Sequence, residues 1–336
     1  MLPSHKKAMA AIESCRTVAL GGHLYYCSKC DKDCYSYHSC KSRYCPRCQN
    51  EQSDAWVEKQ QELLLNVPYF LVTFTLPAEL RQLARSNQKT VYNILIKSAA
   101  NTVLELMEGR LDGMVGILSV LQTWTRDLRY HPHVHMLVTG GALSKDGEHW
   151  HRPRYPYLVS QRVLSDVFEG KFLHALKKEK LHINARLPKK RWVVDVLAVG
   201  SGQTALRYLA PYIFRVAISN RRIVKLQDEK VTFLFKDSKT KKLRPAVLTV
   251  NHFIHRFLQH VLPHRFIKVR TYGLFSPHHK HLLQNAKQIV GLAKPERQKN
   301  QISLAYPRVL TCPDCKNLMQ YIGEIPRIKI RETRPP

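Results

Sequence analysis

Two cysteine pairs near the start of the chain, Cys27-x2-Cys30 and Cys45-x2-Cys48, constrain its fold more than any other feature. Thiols two residues apart form a knuckle that offers two ligands to one ion, and two knuckles complete a tetrahedral site. The fourteen residues between the pairs fit the spacing of a zinc ribbon. A zinc-ribbon-like module is therefore expected over residues 1–50, a segment rich in Cys, His, Gly and Tyr whose apolar content is too small to fold alone. Cys27, Cys30, Cys45 and Cys48 would share its structural Zn²⁺. Cys15, His23, Cys34 and Cys40 interleave with them and supply four candidates for a second ion. Two redox-active CxxC motifs are the competing reading, and it suits two pairs in one short segment poorly. Cys312 and Cys315 form half of another site whose partners stay unassigned.

Charge narrows the partner. Lys and Arg number 54 against 25 Asp and Glu, a formal net charge of +29. Such an excess repels itself in the folded state, and a polyanion is its commonest counterpart. Lys29, Lys32, Lys41, Arg43 and Arg47, between the cysteines, suit contact with phosphates, although zinc modules also serve as folding or protein-binding units. The start, MLPSHKKAMAAIESC, lacks the apolar core of a signal peptide. The longest apolar stretch, Gly113 to Leu121, falls well short of the roughly 20 residues of a membrane span. A cytoplasmic protein without a membrane span is the expectation, charge alone leaving DNA, RNA and anionic lipid open as the polyanion, and thiols in a reducing compartment read as metal ligands.

Beyond a linker helix expected over 51–68, strands and helices mix without regular alternation, which argues for an α+β fold. Tyr69–Leu76 (YFLVTFTL), Val115–Thr125, His133–Val138 and Trp192–Val199 read as strands. Residues 79–108, 162–181, 206–218 and 251–262 read as helices, and 231–250 as a hairpin. A main domain over 69–225 and a basic region over 226–336, holding the last CxxC, complete the division.

Within the second strand pair lies His131-Pro-His133-Val-His135. Alternate side chains of a strand share a face, so His133 and His135 point the same way and can bind one divalent ion. A His-x-His arises often by chance; here the strand is apolar, and burying two imidazoles without a task is costly. About seventy residues on, Tyr208 and Tyr212 stand four apart in a helical pattern, which places both hydroxyls on one face. Two half-buried aromatics packed on the sheet would look the same, and Pro211 favours a kink between them. Tyrosine becomes a useful nucleophile toward a phosphodiester when a cation polarises the phosphate. Arg207, Arg215, Arg221 and Arg222 flank the pair as candidate DNA contacts.

Five segments occur in order: CRTVALGGH, SCKSRYCPRCQ, YFLVTFTLP, LQTWTRDLRYHPHVHMLVTGGAL and YLAPYIFRVAISNRRI. Together the chain resembles the rolling-circle transposases with an N-terminal zinc-binding domain, the insertion sequence 91 type. The resemblance implies an HUH endonuclease core, an antiparallel sheet with flanking helices that carries the metal histidines and a helix that presents two tyrosines. It assigns His133 and His135 to a catalytic Mg²⁺ or Mn²⁺, and Tyr208 and Tyr212 to attack on single-stranded transposon ends and target DNA through a 5′-phosphotyrosine intermediate. Gln122 stands where the family pattern has a third histidine, and its amide oxygen is expected to complete the metal site, with His131 as rival. Tyr44 stands where relatives carry a histidine beside the second CxxC, which leaves the second zinc open unless Cys34 substitutes. A replication initiator or relaxase-like nickase, or an inactive zinc-dependent DNA-binding remnant, would share many of these features.

Overall fold

The computed structural model describes residues 2–48, 60–154, 156–183, 187, 191–204, 206, 209, 217–237, 240–291 and 310–328. Two compact units divide the chain, one formed by Met1–Gln49 with Glu296–Pro336, the other by Asn50–Pro295. The first is thus discontinuous. It takes residues from the 226–336 region that the sequence suggested as one C-terminal stretch.

In this unit a helix, Pro3–Glu13, precedes the strands β1 (Gly22–Cys27) and β2 (Lys32–Tyr37), which form an antiparallel hairpin. Its turn is closed by Asp31 in the left-handed region (φ 52°), where a short acidic side chain is tolerated, and Tyr26 donates to Asp31 Oδ1 at 2.7 Å.

The larger unit is built on an antiparallel sheet of five strands: β3 (Pro68–Thr75), β5 (Gly116–Trp124), β6 (Tyr130–Thr139), β9 (Val194–Ser201) and β13 (Val269–Gly273). Their spatial order is β13-β5-β6-β3-β9. Between them in sequence, β4 (Gly113–Met114), β7 (Ala142–Ser144) and β8 (Trp150–His151) form a small sheet. A third sheet joins β10 (Ile223–Gln227), β11 (Lys230–Lys236) and β12 (Leu243–Thr249). The last strand, β14 (Gln320–Ile325), belongs to the first unit and pairs with β1 to give the order β14-β1-β2.

Alternation along the central strands separates two faces. Phe74 sends its ring against Phe168 of the helix Gln161–Lys178, 4.9 Å between centroids, and Phe168 packs on Phe172 and Trp192. The long helix Gln88–Leu111 buries Val91, Tyr92, Leu95, Ala99, Val103 and Met107. The predicted 79–108 helix is broken, because Asn87 leaves helical geometry (φ −126°, ψ 46°) between the segments Arg81–Ser86 and Gln88–Leu111. Leu71, Leu118, Val120 and Leu137 take part in a second cluster, together with Tyr69, Leu206, Leu209, Leu274, Phe275 and Leu283. Among the described residues no helix is long and apolar enough to cross a membrane.

Candidate active site and cysteine clusters

The central strands bring Gln122, His133 and His135 to one face of the sheet. Gln122 on β5 pairs with His133 on β6, and His135 lies between Val120 on β5 and Thr73 on β3. Cross-strand partners share a face, so these polar groups continue the row begun by Leu118, Val120 and Leu137.

Second partners set the ring orientations. His133 Nδ1 donates to the His131 carbonyl at 2.7 Å, which leaves Nε2 as the lone-pair nitrogen. His135 Nδ1 lies 3.0 Å from Thr73 Oγ1, and its Nε2 lies 3.1 Å from Gln122 Oε1. Gln122 Nε2 donates to the Trp124 carbonyl at 3.1 Å, so its oxygen is the end turned toward His135. The two imidazole rings are 4.8 Å apart. Burial pushes the pKa of His133 down to about 3, helped by the neighbouring His135, and burial alone takes His135 to about 4. Both rings are neutral at neutral pH, the form that binds a cation.

His131, the rival third ligand, is held differently: Arg81 Nη2 donates to its Nδ1 at 2.8 Å. Burial first, then the charges of Arg81 and Arg129, lowers its pKa to about 4. In an octahedral shell with bonds of roughly 2.1 Å, neighbouring ligand atoms stand about 3 Å apart. The 3.1 Å between His135 Nε2 and Gln122 Oε1 fits one edge of such a shell. The residues present therefore suit a hard or borderline divalent ion, with Gln122 better placed than His131.

The histidines line a cleft of about 390 Å³ with Gln122, Trp124, Thr125, Arg126, Asp127 and Arg129 on one side and Phe235, Lys236 and Asp237 on the other. The last three come from β11 and its end, so residues beyond 225 line the histidine cleft and the expected division at 225 does not separate them from it. A larger groove, about 660 Å³, lies between the helices Gln88–Leu111 and Gln161–Lys178 and includes none of these residues. Sequence reasoning missed Thr73, Arg81 and the β11 residues, none of which carries a motif of its own.

Arg222, expected as a DNA contact, is engaged by the fold. It donates through Nε to the Leu234 carbonyl at 2.6 Å and through Nη2 to the Arg126 carbonyl, tying the β5–β6 loop to β11. Arg221 is exposed. Tyr208, Tyr212, Arg207 and Arg215 lie outside the described residues, as does most of the predicted 206–218 helix.

The cysteines form two groups of four, and they are not the groups that spacing suggested. Cys15, Cys40, Cys45 and Cys48 converge in one, and Cys27, Cys30, Cys312 and Cys315 in the other, each with its sulfurs within 4.8 Å of one another. Four thiolates at roughly 2.3 Å from a tetrahedral ion stand about 3.8 Å apart. The observed separations include 3.3 Å for Cys15–Cys48, 3.6 Å for Cys40–Cys48, 3.5 Å for Cys27–Cys315 and 3.9 Å for Cys30–Cys312. Both groups fit zinc.

The regrouping has a structural cause. Backbone bonds from Arg16 to the His38 carbonyl and from His38 to the Gly21 carbonyl carry Cys15 to Cys40 and the second CxxC. Pairing of β14 with β1 brings Cys312 and Cys315 to the first. His23 and Cys34 belong to neither group. The His23 ring sits 4.8 Å from that of His38 and 5.8 Å from that of Tyr321, and Cys34 is half-buried on β2, opposite Tyr25.

Comparison with known proteins finds two matching families. Residues 1–76 match the family described as "Transposase zinc-binding domain", and residues 116–282 match the family described as "Putative transposase". These matches define a transposase with a zinc-binding domain. The chain is 35% identical over 329 residues to the "Putative transposase y4qJ" of Sinorhizobium fredii (strain NBRC 101917 / NGR234), covering 90% of this chain and 82% of that protein. It is 27% identical over 289 residues to the "Transposase for insertion sequence element IS801" of Pseudomonas savastanoi pv. phaseolicola, covering 78% and 68%. The chain belongs to the transposases of the insertion sequence 91 type.

Proposed function

We propose that the chain nicks and rejoins single-stranded DNA at the ends of its element by rolling-circle transposition, with Tyr208 and Tyr212 as nucleophiles. The observation that carries this reading is the meeting of His135 Nε2 and Gln122 Oε1 beside His133, in a cleft that also holds Arg126, Arg129 and Lys236. Leu206 and Leu209 are buried in the cluster that also holds Leu118, Val120 and Leu137, the row that continues into the histidines. Bound Mg²⁺ or Mn²⁺ would be held by His133, His135 and Gln122 and would polarise the scissile phosphate.

In the proposed reaction a tyrosine oxygen bonds to phosphorus, and the bond from phosphorus to the 3′ oxygen breaks. A 5′-phosphotyrosine forms, and the leaving 3′ oxygen takes up a proton to become a hydroxyl. Arg126, Arg129 and Lys236 orient the strand through its phosphates. The second tyrosine then allows a further cleavage while the first end is held. The His131 carbonyl holds His133 in the ligand tautomer, and Thr73 Oγ1 can accept from His135 Nδ1 when a cation takes up Nε2.

The test uses labelled single-stranded DNA from the element's ends with Mn²⁺. A protein–DNA adduct that survives denaturation is expected from the wild type and not from the double variant Tyr208→Phe, Tyr212→Phe. An adduct of equal yield in that variant would sink the mechanism. Nicking and resealing without transfer to a second strand would favour a replication initiator or relaxase instead.

A further inference from the structure

The segment 310–328 has little of its own to hold it in place. Its buried apolar residues are Cys312 and Met319, which join Tyr25 and Cys27 in one small cluster, with Cys30, Cys34, Leu310 and Cys315 packed around it. Leu318, Tyr321 and Ile322 are 69%, 44% and 51% exposed. The ion pair of Lys32 with Asp314, 2.7 Å long, is solvent-exposed on both sides and contributes little.

Yet the segment is closely fitted. β14 pairs with β1 from Gly22 to Tyr26, with one irregularity. At Gly21 (φ 68°) an added Cβ would stand 2.5 Å from the Ile325 carbonyl oxygen, so only glycine lets the two stretches approach. A tie stronger than this apolar cluster is required, and the chemistry of the cluster names it. Half of its eight members are the converging thiols. Backbone N–H groups of Cys30 and Lys29 point to the Cys27 sulfur, and those of Cys315 and Asp314 to the Cys312 sulfur. These are two matching knuckles that face each other, and an all-sulfur tetrahedral set selects Zn²⁺ over hard cations.

We infer that Cys27, Cys30, Cys312 and Cys315 bind a second structural zinc ion, which fastens residues 310–328 onto β1. The metal closes a gap of 282 positions between Cys30 and Cys312. Metal clips across long loops are the ones whose closure most restricts the unfolded chain. The matched zinc-binding family ends at residue 76, so half of this site lies outside it. The zinc-binding unit is complete only when residues 310–328 are in place.

Zinc content and thiol footprinting of the full chain test this directly. The zinc-loaded wild type is alkylated under native conditions, and the modified cysteines are identified by mass spectrometry. Two ions per chain are expected, with Cys34 alone reactive among the nine cysteines. The variant Cys312→Ser, Cys315→Ser should carry one ion and expose Cys27, Cys30 and Cys34. The variant Cys40→Ser, Cys48→Ser should also carry one ion while Cys312 and Cys315 stay protected, which keeps the test valid if the first variant misfolds. Alkylation of Cys312 and Cys315 in the zinc-loaded wild type, with Cys27 and Cys30 still protected, overturns the inference. So does retention of two ions by Cys312→Ser, Cys315→Ser.

Discussion

Replacing Thr73 by valine tests whether the proposed cation site depends on the tautomer of His135. When Nε2 faces the cation, the ring proton must sit on Nδ1, and Thr73 Oγ1, 3.0 Å away, is the acceptor that takes it. Valine has nearly the same shape and no acceptor. Without metal the variant can move the proton to Nε2 and donate it to Gln122 Oε1 at 3.1 Å, so the free protein loses only the bond that the Thr73 hydroxyl gives to the Nδ1 lone pair. With metal bound, the N–H on Nδ1 loses its Thr73 acceptor, at a cost of about 1–3 kcal/mol. The larger cost falls on the bound state and weakens metal affinity toward the roughly 10–100-fold usual on removing such a supporting partner. Manganese titration followed by electron paramagnetic resonance measures it, and the Mn²⁺ concentration that half-saturates nicking should move by the same factor. Thr73→Ser, which keeps the hydroxyl, should stay near wild type. Unchanged Mn²⁺ affinity in Thr73→Val, or equal loss in Thr73→Ser, would refute the argument.

Other consequences are equally specific. His260 is fully enclosed, between Thr123 Oγ1 and the Leu128 carbonyl, and burial lowers its pKa from the ordinary 6.5 to about 4. Between these values the unfolded chain binds the proton and the folded one does not, so stability is full above pH 6.5 and falls as pH drops toward 4, by about 3 kcal/mol for this residue. Urea midpoints from pH 7 to 4 should therefore slope less in His260→Asn than in the wild type, and parallel slopes would contradict the assignment. Phe168→Ala should cost about 3–5 kcal/mol in denaturant unfolding, because its fully buried ring packs on Phe74, Phe172 and Trp192. A loss below about 1 kcal/mol would show that the site collapses freely. If Arg221 meets phosphate, Arg221→Gln should lower the salt slope of single-strand binding by about 0.7. Arg222→Gln should leave that slope unchanged while lowering thermal stability, since its guanidinium serves backbone carbonyls. The reverse pattern would exchange their roles.

Four strands of the five-stranded sheet were legible because β-branched and aromatic runs mark a pleated, buried surface. The sheet's outer strand β13 was not. Val-Arg-Thr-Tyr-Gly has no run to notice, and its partner β5 lies some 150 positions earlier, so only tertiary pairing makes it a strand. His133, His135 and Gln122 could be read from alternation and from resemblance, whereas Thr73 became visible only through the register of β3 on β6. The cysteine partners were misread for a similar reason. Spacing shows that Cys27 and Cys30 act together, but which second pair they meet is decided by β14 lying against β1.

That arrangement bears on how the protein is made. A ribosome adds roughly 5–20 residues per second, so the 282 positions from Cys30 to Cys312 keep the first knuckle waiting on the order of 15–60 s for its counterpart. In that interval the five-stranded sheet, whose strands all lie between, can form while Cys27 and Cys30 stand as an open pair of thiols. A product cut short before residue 312 would carry the histidines intact and still lack a finished zinc-binding unit. Shortened copies of the chain would thus lose the second cysteine group before they lose the histidine cleft.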